Sequence, residues 1–427
     1  MHEWYYLERV AELPWYYDIH CGDTDHNGLG EVYGSVMPTM HRNALLYPWI
    51  FDNFDYSFNF AIKDVGDPDG DSLMDLLIVE ENGIKLIESK NYNTYPDTIV
   101  WEYPWDIYFE IHLKLGDLDG DGLGEVLFYG EPDGGGNYKV YESTGNNEYE
   151  FKTEIRFREI IGDWTGEPSL GDIDGDGLNE VFAGGIHGEI IMFECVADDS
   201  FEFVWQGYAG APNAYSTEYL GDTDGDGLNE FMVGANGGFF LNTIWEADGD
   251  NSYQVKYTTR LYGRSWGDSD IEIGDYFGDC EDCIAICGND YVTVIKAFGD
   301  DLWHRMLKFS TNTSSAYIRK FNPSSNLNNV IVNVVRIQPT WTTWIYNVRG
   351  FFIPGDVNSD GVLMANDVTY LVCYFKGMNN VIEEPTMRAD TNGDCQVRGN
   401  DVTFLVRYLK GIGDAPEPGW CHFYVEE

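Results

Sequence analysis

The sequence has few positive charges. It carries 25 lysines and arginines against 73 aspartates and glutamates, which gives a formal net charge of −48. Such a surface repels the phosphates of nucleic acids and the head groups of anionic membranes, so we exclude both as partners. No apolar run approaches the roughly 20 residues of a membrane span, and the opening MHEWYYLERV does not read as a signal peptide. We expect no membrane insertion.

Catalytic signatures are also scarce. We identify no nucleophile elbow and no H-E-x-x-H motif, and the eight histidines are scattered. With 73 acids nearly any pair of carboxylates could be proposed as acid and base, so none is singled out. We assign no catalytic residue.

Acidic residues are instead concentrated in short, glycine-rich stretches. In LGDIDGDGLNEVFAGG, residues 170–185, the acids are Asp172, Asp174, Asp176 and Glu180. Like charges at this density repel unless a cation lies among them, and calcium takes six to eight oxygens from carboxylates, carbonyls and water. The carbonyl of Leu178 could supply a further ligand. For a single copy, a solvated acidic turn is the alternative.

Repetition favours the metal. Four further stretches have the same acid spacing followed by apolar residues, so we predict five calcium sites. The candidate ligands are Asp23, Asp25, Asn27, Leu29 and Glu31; Asp67, Asp69, Asp71, Leu73 and Asp75; Asp117, Asp119, Asp121, Leu123 and Glu125; Asp172, Asp174, Asp176, Leu178 and Glu180; Asp222, Asp224, Asp226, Leu228 and Glu230. Two weaker relatives, from Gly274 and from Phe321, keep the shape of the loop and lose the ligands.

The spacing of the repeats predicts the fold. The first loop positions, Asp23, Asp67, Asp117, Asp172, Asp222, Asp275 and Asn322, are separated by 44, 50, 55, 50, 53 and 47 residues. Seven repeats of four short strands each predict an all-β, seven-bladed β-propeller. The last repeat lacks its fourth strand, and the N-terminal EWYYLERV could supply it beside TWTTWIYNV.

These loops resemble the calcium loops of FG-GAP or VCBS-type repeats, which occur in the integrin alpha-subunit propeller and in many secreted bacterial proteins. The resemblance covers residues 1–351. It implies calcium in the hairpin between the first and second strands of several blades, with the five ligand sets given above.

A different repeat occupies the C-terminus. Oxygen-bearing groups fall at positions one, three, five, seven and twelve of two loops: Asp356, Asn358, Asp360, Val362 and Asp367, then Asp390, Asn392, Asp394, Gln396 and Asp401. Each loop is followed by an apolar stripe with helical spacing: Val368, Leu371, Val372 and Phe375, then Val402, Leu405, Val406 and Leu409. We predict two calcium ions and two amphipathic helices, each burying its stripe against the other.

This pair resembles a type I dockerin module, the small domain that plugs secreted proteins into cohesins. The resemblance implies a small α-helical, EF-hand-like calcium domain over residues 352–412, followed by a tail over 413–427. It also implies a cohesin-like partner and a recognition pair at loop positions ten and eleven. The faces expected to contact that partner carry Ala365, Asn366, Lys376, Gly399, Asn400 and Lys410.

The eight cysteines leave several pairings open. Cys280, Cys283 and Cys287 cluster in the sixth repeat, where either a local disulfide or, with a fourth ligand not evident in the sequence, a zinc site could form. Cys395 and Cys421 could form a disulfide that ties the tail across the second C-terminal calcium loop.

Aromatic residues precede five of the loops on the face expected to lie opposite the calcium sites. They are Trp15, Trp105, Trp164, Tyr215 and Trp266. Such residues can stack on sugars or anchor a peptide, or they can cap the packing between blades. We expect a secreted, monomeric, extracellular or cell-surface protein that binds a carbohydrate or a protein ligand. The alternative is a polysaccharide lyase or glycoside hydrolase, because dockerins often accompany such enzymes.

Overall fold

A computed structural model of the chain describes the following residues. They are 4–14, 18–22, 31–36, 43–47, 56–58, 61–80, 83–91, 94, 96–104, 112–129, 137–161, 165–237, 240–261, 270–274, 282–288, 291–310, 330–337, 340–378, 382, 386–394 and 396–417.

The described strands form six four-stranded sheets and one three-stranded sheet, all antiparallel. Sheet 1 contains β2 (Asp18–Gly22), β3 (Glu31–Val36), β4 (Asn43–Tyr47) and β5 (Tyr56–Phe58). Sheet 2 contains β6 (Ala61–Gly66), β7 (Asp75–Glu80), β8 (Gly83–Glu88) and β9 (Thr98–Pro104). Sheet 3 contains β10 (Leu113–Gly116), β11 (Glu125–Tyr129), β12 (Tyr138–Gly145) and β13 (Glu148–Ile155).

The later sheets follow the same order along the chain. Sheet 4 contains β14 (Ser169–Gly171), β15 (Glu180–Gly184), β16 (Glu189–Ala197) and β17 (Ser200–Tyr208). Sheet 5 contains β18 (Ser216–Gly221), β19 (Glu230–Asn236), β20 (Phe240–Gly249) and β21 (Ser252–Leu261). Sheet 6 contains β22 (Asp270–Gly274), β23 (Cys283–Gly288), β24 (Tyr291–Ala297) and β25 (Trp303–Ser310), and sheet 7 contains β1 (Trp4–Pro14), β27 (Thr340–Phe352) and β26 (Val330–Ile337).

Successive sheets contact one another through their first strands. Strand β6 touches both β2 and β10, β14 touches β18, and β18 touches β22. The apolar core lies between the sheets. Trp205 of sheet 4, for example, packs edge-on against Trp245 and Tyr253 of sheet 5, with ring centroids 5.4 and 5.1 Å apart. This is a propeller-like arrangement of four-stranded units.

The N-terminal strand joins the last sheet, as predicted. Strand β1 pairs with β27 in antiparallel register from Trp4 opposite Phe352 to Pro14 opposite Thr342. The pairing is longer than EWYYLERV alone, because β1 continues to Pro14. The two ends of the repeat region are thereby hydrogen-bonded in one sheet.

A short helix interrupts the all-β pattern between sheets 3 and 4. Helix α1 (Phe157–Ile161) was not predicted from the sequence, in which only the preceding stretch EFKTEIRF, residues 150–157, is typical of a strand. Phe157 is fully buried, and its ring lies 4.9 Å from that of Phe193 and 5.4 Å from that of Tyr138. The helix therefore places one anchor residue into the core between these sheets.

The C-terminal segment contains the two predicted helices, α2 (Ala365–Phe375) and α3 (Gly399–Leu409). Leu371 and Leu405 are fully buried in a small core with Val357, Leu363 and other loop residues. The stripe prediction was wrong at its last members, since Phe375 is 42% exposed and Leu409 is 36% exposed. Each is the last residue of its helix. Within the described residues no helix has the length and apolarity needed to cross a membrane.

Candidate calcium centres

Four of the five predicted acidic loops of the repeat region lie within the described residues: loop 2 (67–75), loop 3 (117–125), loop 4 (172–180) and loop 5 (222–230). Each joins the first and second strands of its sheet. In loop 4, the first aspartate, Asp172, accepts N–H bonds from Gly175 at 2.8 Å and Gly177 at 3.1 Å. Loops 3 and 5 repeat these bonds at 2.7 to 3.0 Å. The glycines have φ of 78° and 94° in loop 4, a left-handed conformation that favours glycine.

The acid that closes each loop is buried. Asp75, Glu125, Glu180 and Glu230 are each at most 1% exposed. Each is the first residue of its sheet's second strand and lies opposite the glycine that precedes the loop. Burial, with the other acids of the loop, raises the pKa of these four groups to about 9, 9, 8 and 7 respectively.

These closing acids have oxygens that the described protein leaves without partners. In loops 3, 4 and 5 one carboxylate oxygen accepts an N–H at 2.5 to 2.8 Å from the residue after the first aspartate. The other oxygen of Glu125, Glu180 and Glu230, and both oxygens of Asp75, are buried without a hydrogen bond. In loops 3 and 5 one oxygen from each of the four acids can lie within 4.8 Å of the others. Converging hard oxygens at a water-excluded position suit calcium, so the residues present fit this ion.

A second layer of acids lies behind the loops and was missed by the sequence analysis. Glu88, Glu142, Glu194 and Glu246 sit in the third strand of each sheet, directly across from the closing acid. They are at most 7% exposed, and burial raises the pKa of all four. The signal for them was a glutamate that recurs in the third strand of each of these four repeats.

The second-layer glutamates have two different kinds of partner. Lys152 forms ion pairs with Glu142 and, at 3.2 Å, with Asp199, and Lys256 pairs with Glu246 at 2.5 Å and with Asp301 at 2.9 Å. Sheets 2 and 4 have valine at the corresponding bulge of the fourth strand, Val100 and Val204. There an asparagine amide donates to the glutamate instead, from Asn147 to Glu88 at 3.1 Å and from Asn251 to Glu194 at 2.6 Å.

The two asparagines, and the two aspartates that pair with the lysines, come from the following sheet. Asn147, Asp199, Asn251 and Asp301 each occupy the tight turn between the third and fourth strands of the next sheet, with φ from 52° to 61°. Their backbone N–H groups donate to the third-position aspartates, Asp69, Asp119, Asp174 and Asp224, at 2.7, 3.1, 2.7 and 2.7 Å. Every described loop is therefore hydrogen-bonded to the sheet that follows it. We call the contact between loop 2 or loop 4 and the next sheet a Val–Asn seam, and that of loop 3 or loop 5 a Lys–Asp seam.

The sixth repeat differs at both buried acid positions. The residue opposite Gly274, where the other sheets have the closing acid, is Cys283. At the position of the second-layer glutamate, sheet 6 has the buried Lys296. Lys296 lies opposite His304, as Glu246 lies opposite Gln254 in sheet 5. An ammonium group in place of a carboxylate disfavours a cation at this position.

The two C-terminal loops hold their acids in nearly identical geometry. Asp367 and Asp401, at position twelve, are fully buried and accept N–H bonds at 2.8 Å from Met364 and 2.6 Å from Arg398. Burial raises the pKa of both groups. The predicted ligands Asp356, Asn358 and Asp360 are linked by hydrogen bonds of 2.9 to 3.1 Å within the first loop.

The asparagines at position eleven take part in these loops. Asn366 donates its side-chain amide to Asp360 at 2.6 Å, and Asn400 donates to Asp394 at 2.7 Å. Both residues are exposed, as a recognition residue must be. Their amide groups are nevertheless held by the fifth position of their own loop.

Several predicted residues lie outside the described part of the chain. They are loop 1 before Glu31, the acids Asp275, Asp279 and Glu281 of the sixth loop, the seventh loop, Cys280, Cys395 and Cys421, and Trp15, Trp105, Trp164 and Trp266. Of the predicted aromatic face only Tyr215 is described, and it is half-buried just before β18. Cys283 and Cys287 are buried in β23.

Contrary to expectation, the sequence contains one motif of the nucleophile-elbow type. Residues 263–267, GRSWG, spell G-x-S-x-G, the pattern of a nucleophile elbow. An elbow joins a strand to a helix, whereas this segment lies between β21 and β22. The pattern therefore gives no support to a serine nucleophile.

Comparison with known families identifies two modules. A model described as an FG-GAP-like repeat matches residues 117–183 and 172–233, and a model described as a Dockerin type I domain matches residues 354–410. Both modules agree with the resemblances drawn from the sequence. No curated protein matched the chain.

Solved structures resemble the repeat region in fold. Two crystal structures of BBS1N in complex with ARL6DN, soaked with lead and with mercury, align with TM-scores of 0.53 and 0.54. Each is 9% identical, and each alignment covers 82% of this chain and 98% of the other. At this identity the likeness concerns the fold alone.

Proposed function

We propose that this protein, which carries FG-GAP-like repeats and a type I dockerin domain, is a secreted, calcium-stabilised binding protein. The dockerin attaches it to a cohesin-type partner, and the repeat region presents a surface that binds a carbohydrate or another protein. The observation that carries the proposal is the joining of these two modules in one chain. Dockerin-bearing proteins are typically extracellular or displayed on the cell surface.

We further propose that residues 1–351 form a closed seven-bladed propeller, followed by the dockerin over 352–412 and a tail over 413–427. Seven described sheets and the pairing of β1 with β27 support the ring. The orphaned oxygens of the closing acids support calcium in the described loops. We assign five ions to the propeller and two to the dockerin, and expect a monomer.

The binding role is favoured over an enzymatic one by the distribution of charged residues. In the described sheets the recurring buried acids are accounted for by the loops and their second layer. They do not converge with histidines into an acid–base site. The candidate ligand surface is instead the aromatic face of Trp15, Trp105, Trp164, Tyr215 and Trp266.

A polysaccharide panel tests this proposal. Binding would be measured beside two products of turnover, reducing ends and the absorbance of unsaturated sugars. We expect binding without turnover, weakened in a variant with Trp164→Ala and Trp266→Ala and retained in one with Asp275→Ala and Asp279→Ala. Sugar release at enzyme-like rates would replace the binding role by a hydrolase or lyase.

The dockerin is tested separately by calcium-dependent capture. The full chain, immobilised in calcium, should retain a cohesin-like protein from the same organism and release it on chelation. Failure to retain any cohesin-like protein would indicate a structural C-terminal cap instead.

A further inference from the structure

A buried tyrosine of one sheet faces the acidic loop of the preceding sheet. Tyr253, on β21 of sheet 5, is 8% exposed, and its hydroxyl has no hydrogen-bond partner. The charged groups that act on this hydroxyl are Glu180, Asp174 and Asp176 of loop 4, together with the second-layer Glu194. A buried donor without a protein partner therefore lies near carboxylates of the preceding sheet.

A tyrosine hydroxyl at this position recurs at the other Val–Asn seam, and neither Lys–Asp seam has one. Tyr149 of sheet 3 has a buried hydroxyl without a partner, and the charged groups that act on this hydroxyl include Asp75, Asp69 and Asp67 of loop 2. In the strand register, Tyr149 and Tyr253 correspond to Phe201 and Trp303 at the Lys–Asp seams. The hydroxyl thus accompanies the asparagine. At the Lys–Asp seam of loop 5 the indole N–H of Trp303 and one oxygen of Asp301 are buried without a partner, so only the seam of loop 3, with Phe201 and Asp199, has no such groups among the described residues.

The asparagine of each Val–Asn seam adds a second unsatisfied group. The backbone N–H and the side-chain amide of Asn251 both donate to sheet 4, but its side-chain oxygen is buried and accepts no hydrogen bond. Asn147 donates in the same way to sheet 2, and its side-chain oxygen is also buried without a partner. A hydroxyl, an amide oxygen and a closing carboxylate oxygen are therefore left unsatisfied at one seam. Buried polar groups are normally paired, and an ordered water or ion commonly supplies the missing partner.

We propose that loops 2 and 4 are cation sites shared between two sheets. The tyrosine and asparagine of the following sheet hold the outer ligands of the calcium: Tyr253 donates to a ligating carboxylate, and the Asn251 oxygen accepts from a water of the ion. Calcium binding in one sheet then docks the outer turn of the next. This inference rests on the proposed binding of calcium by the loops.

Tyr253→Phe tests the shared site with little disturbance to packing. The substitution removes the hydroxyl and keeps the ring, which packs against Trp205 at 5.1 Å and Phe231 at 5.6 Å. Hydrogen exchange of the turn at 250–251 would be followed by mass spectrometry while free calcium is varied. The turn at 198–199, at a Lys–Asp seam, is an internal control, and Tyr208→Phe, an exposed tyrosine at the end of β17, is the control variant.

In the wild type we expect calcium to protect both turns from exchange. In Tyr253→Phe the calcium concentration that half-protects turn 250–251 should rise about tenfold, a typical effect of losing a group that orients metal ligands. Turn 198–199 should keep its midpoint, and Tyr208→Phe should move neither.

Two results would overturn the shared site: an unmoved midpoint in Tyr253→Phe, or protection of turn 250–251 that ignores calcium in the wild type. Either result, obtained while the protein still binds calcium, leaves the proposed calcium binding intact. Absence of bound calcium from the wild type would overturn both.

Discussion

Replacing Lys152 by valine should destabilise the seam between sheets 3 and 4. The ammonium group pairs with Glu142, which is 2% exposed, and with Asp199 of the following sheet. Removing one partner of a buried ion pair costs about 3–5 kcal/mol. Because the Lys152 side chain is 23% exposed and Glu142 can take up a proton, we expect about 2 kcal/mol here, or a fall in Tm of roughly 2–5 °C.

The double variant Lys152→Val with Asp199→Asn should recover most of this loss. It recreates the combination of valine and asparagine found at the next seam, with Val204 and Asn251. It also keeps the charge around the second-layer glutamate at −1: in the wild type Glu142, Lys152 and Asp199 sum to −1, and in the double variant Glu142 alone carries the charge. Scanning calorimetry in excess calcium would compare the wild type, both single variants and the double variant. A double variant as unstable as Lys152→Val, or less stable, would refute this interpretation of the two seams.

Three further predictions concern the metal and the dockerin. First, the closing carboxyls have pKa values of about 7 to 9 in the cation-free protein, whereas their pKa values in the unfolded chain are near 4. Protonation of these carboxyls therefore stabilises the cation-free protein at low pH, and this stabilisation is lost as the pH rises through 7 to 9. Calcium replaces the proton, and its effect on Tm should therefore grow from pH 5.5 to 8.5; a constant or falling effect would contradict the burial of these acids. Second, chelation should unfold the dockerin before the propeller, because α2 and α3 share only a small core. Limited proteolysis after chelation would test this, and cleavage of the repeat region first would contradict it. Third, Asn366→Ala with Asn400→Ala should weaken both calcium and cohesin binding in titration calorimetry, whereas Lys376→Ala should affect cohesin alone; unchanged calcium affinity would show that these asparagines do not support their loops.

The loops were predictable because their information is local. Acid spacing, the glycines between the acids and the apolar run that follows lie within about ten residues, so the sequence revealed each loop and the position of its closing acid. Repetition at a regular interval then predicted four-stranded units. The pairing of β1 with β27 was also predictable, since one repeat lacked a strand and the N-terminus had a spare one.

The contacts between sheets were not predictable in the same way. Glu194 and Asn251 are 57 residues apart and belong to different repeats, and nothing in either segment alone identifies the partner. The exchange of valine and asparagine for lysine and aspartate becomes visible only when the register of the strands is known. Helix α1 was missed for a similar reason, because the burial of Phe157 depends on rings in two sheets.

Calcium content tests the central claim most directly. The purified full chain, dialysed against trace calcium and analysed by inductively coupled plasma mass spectrometry, should hold seven ions. We expect Asp172→Ala with Asp176→Ala to remove one ion, and Asp275→Ala with Asp279→Ala to remove none. A wild type with no more than two ions, the number assigned to the dockerin, would contradict calcium binding by the repeat loops.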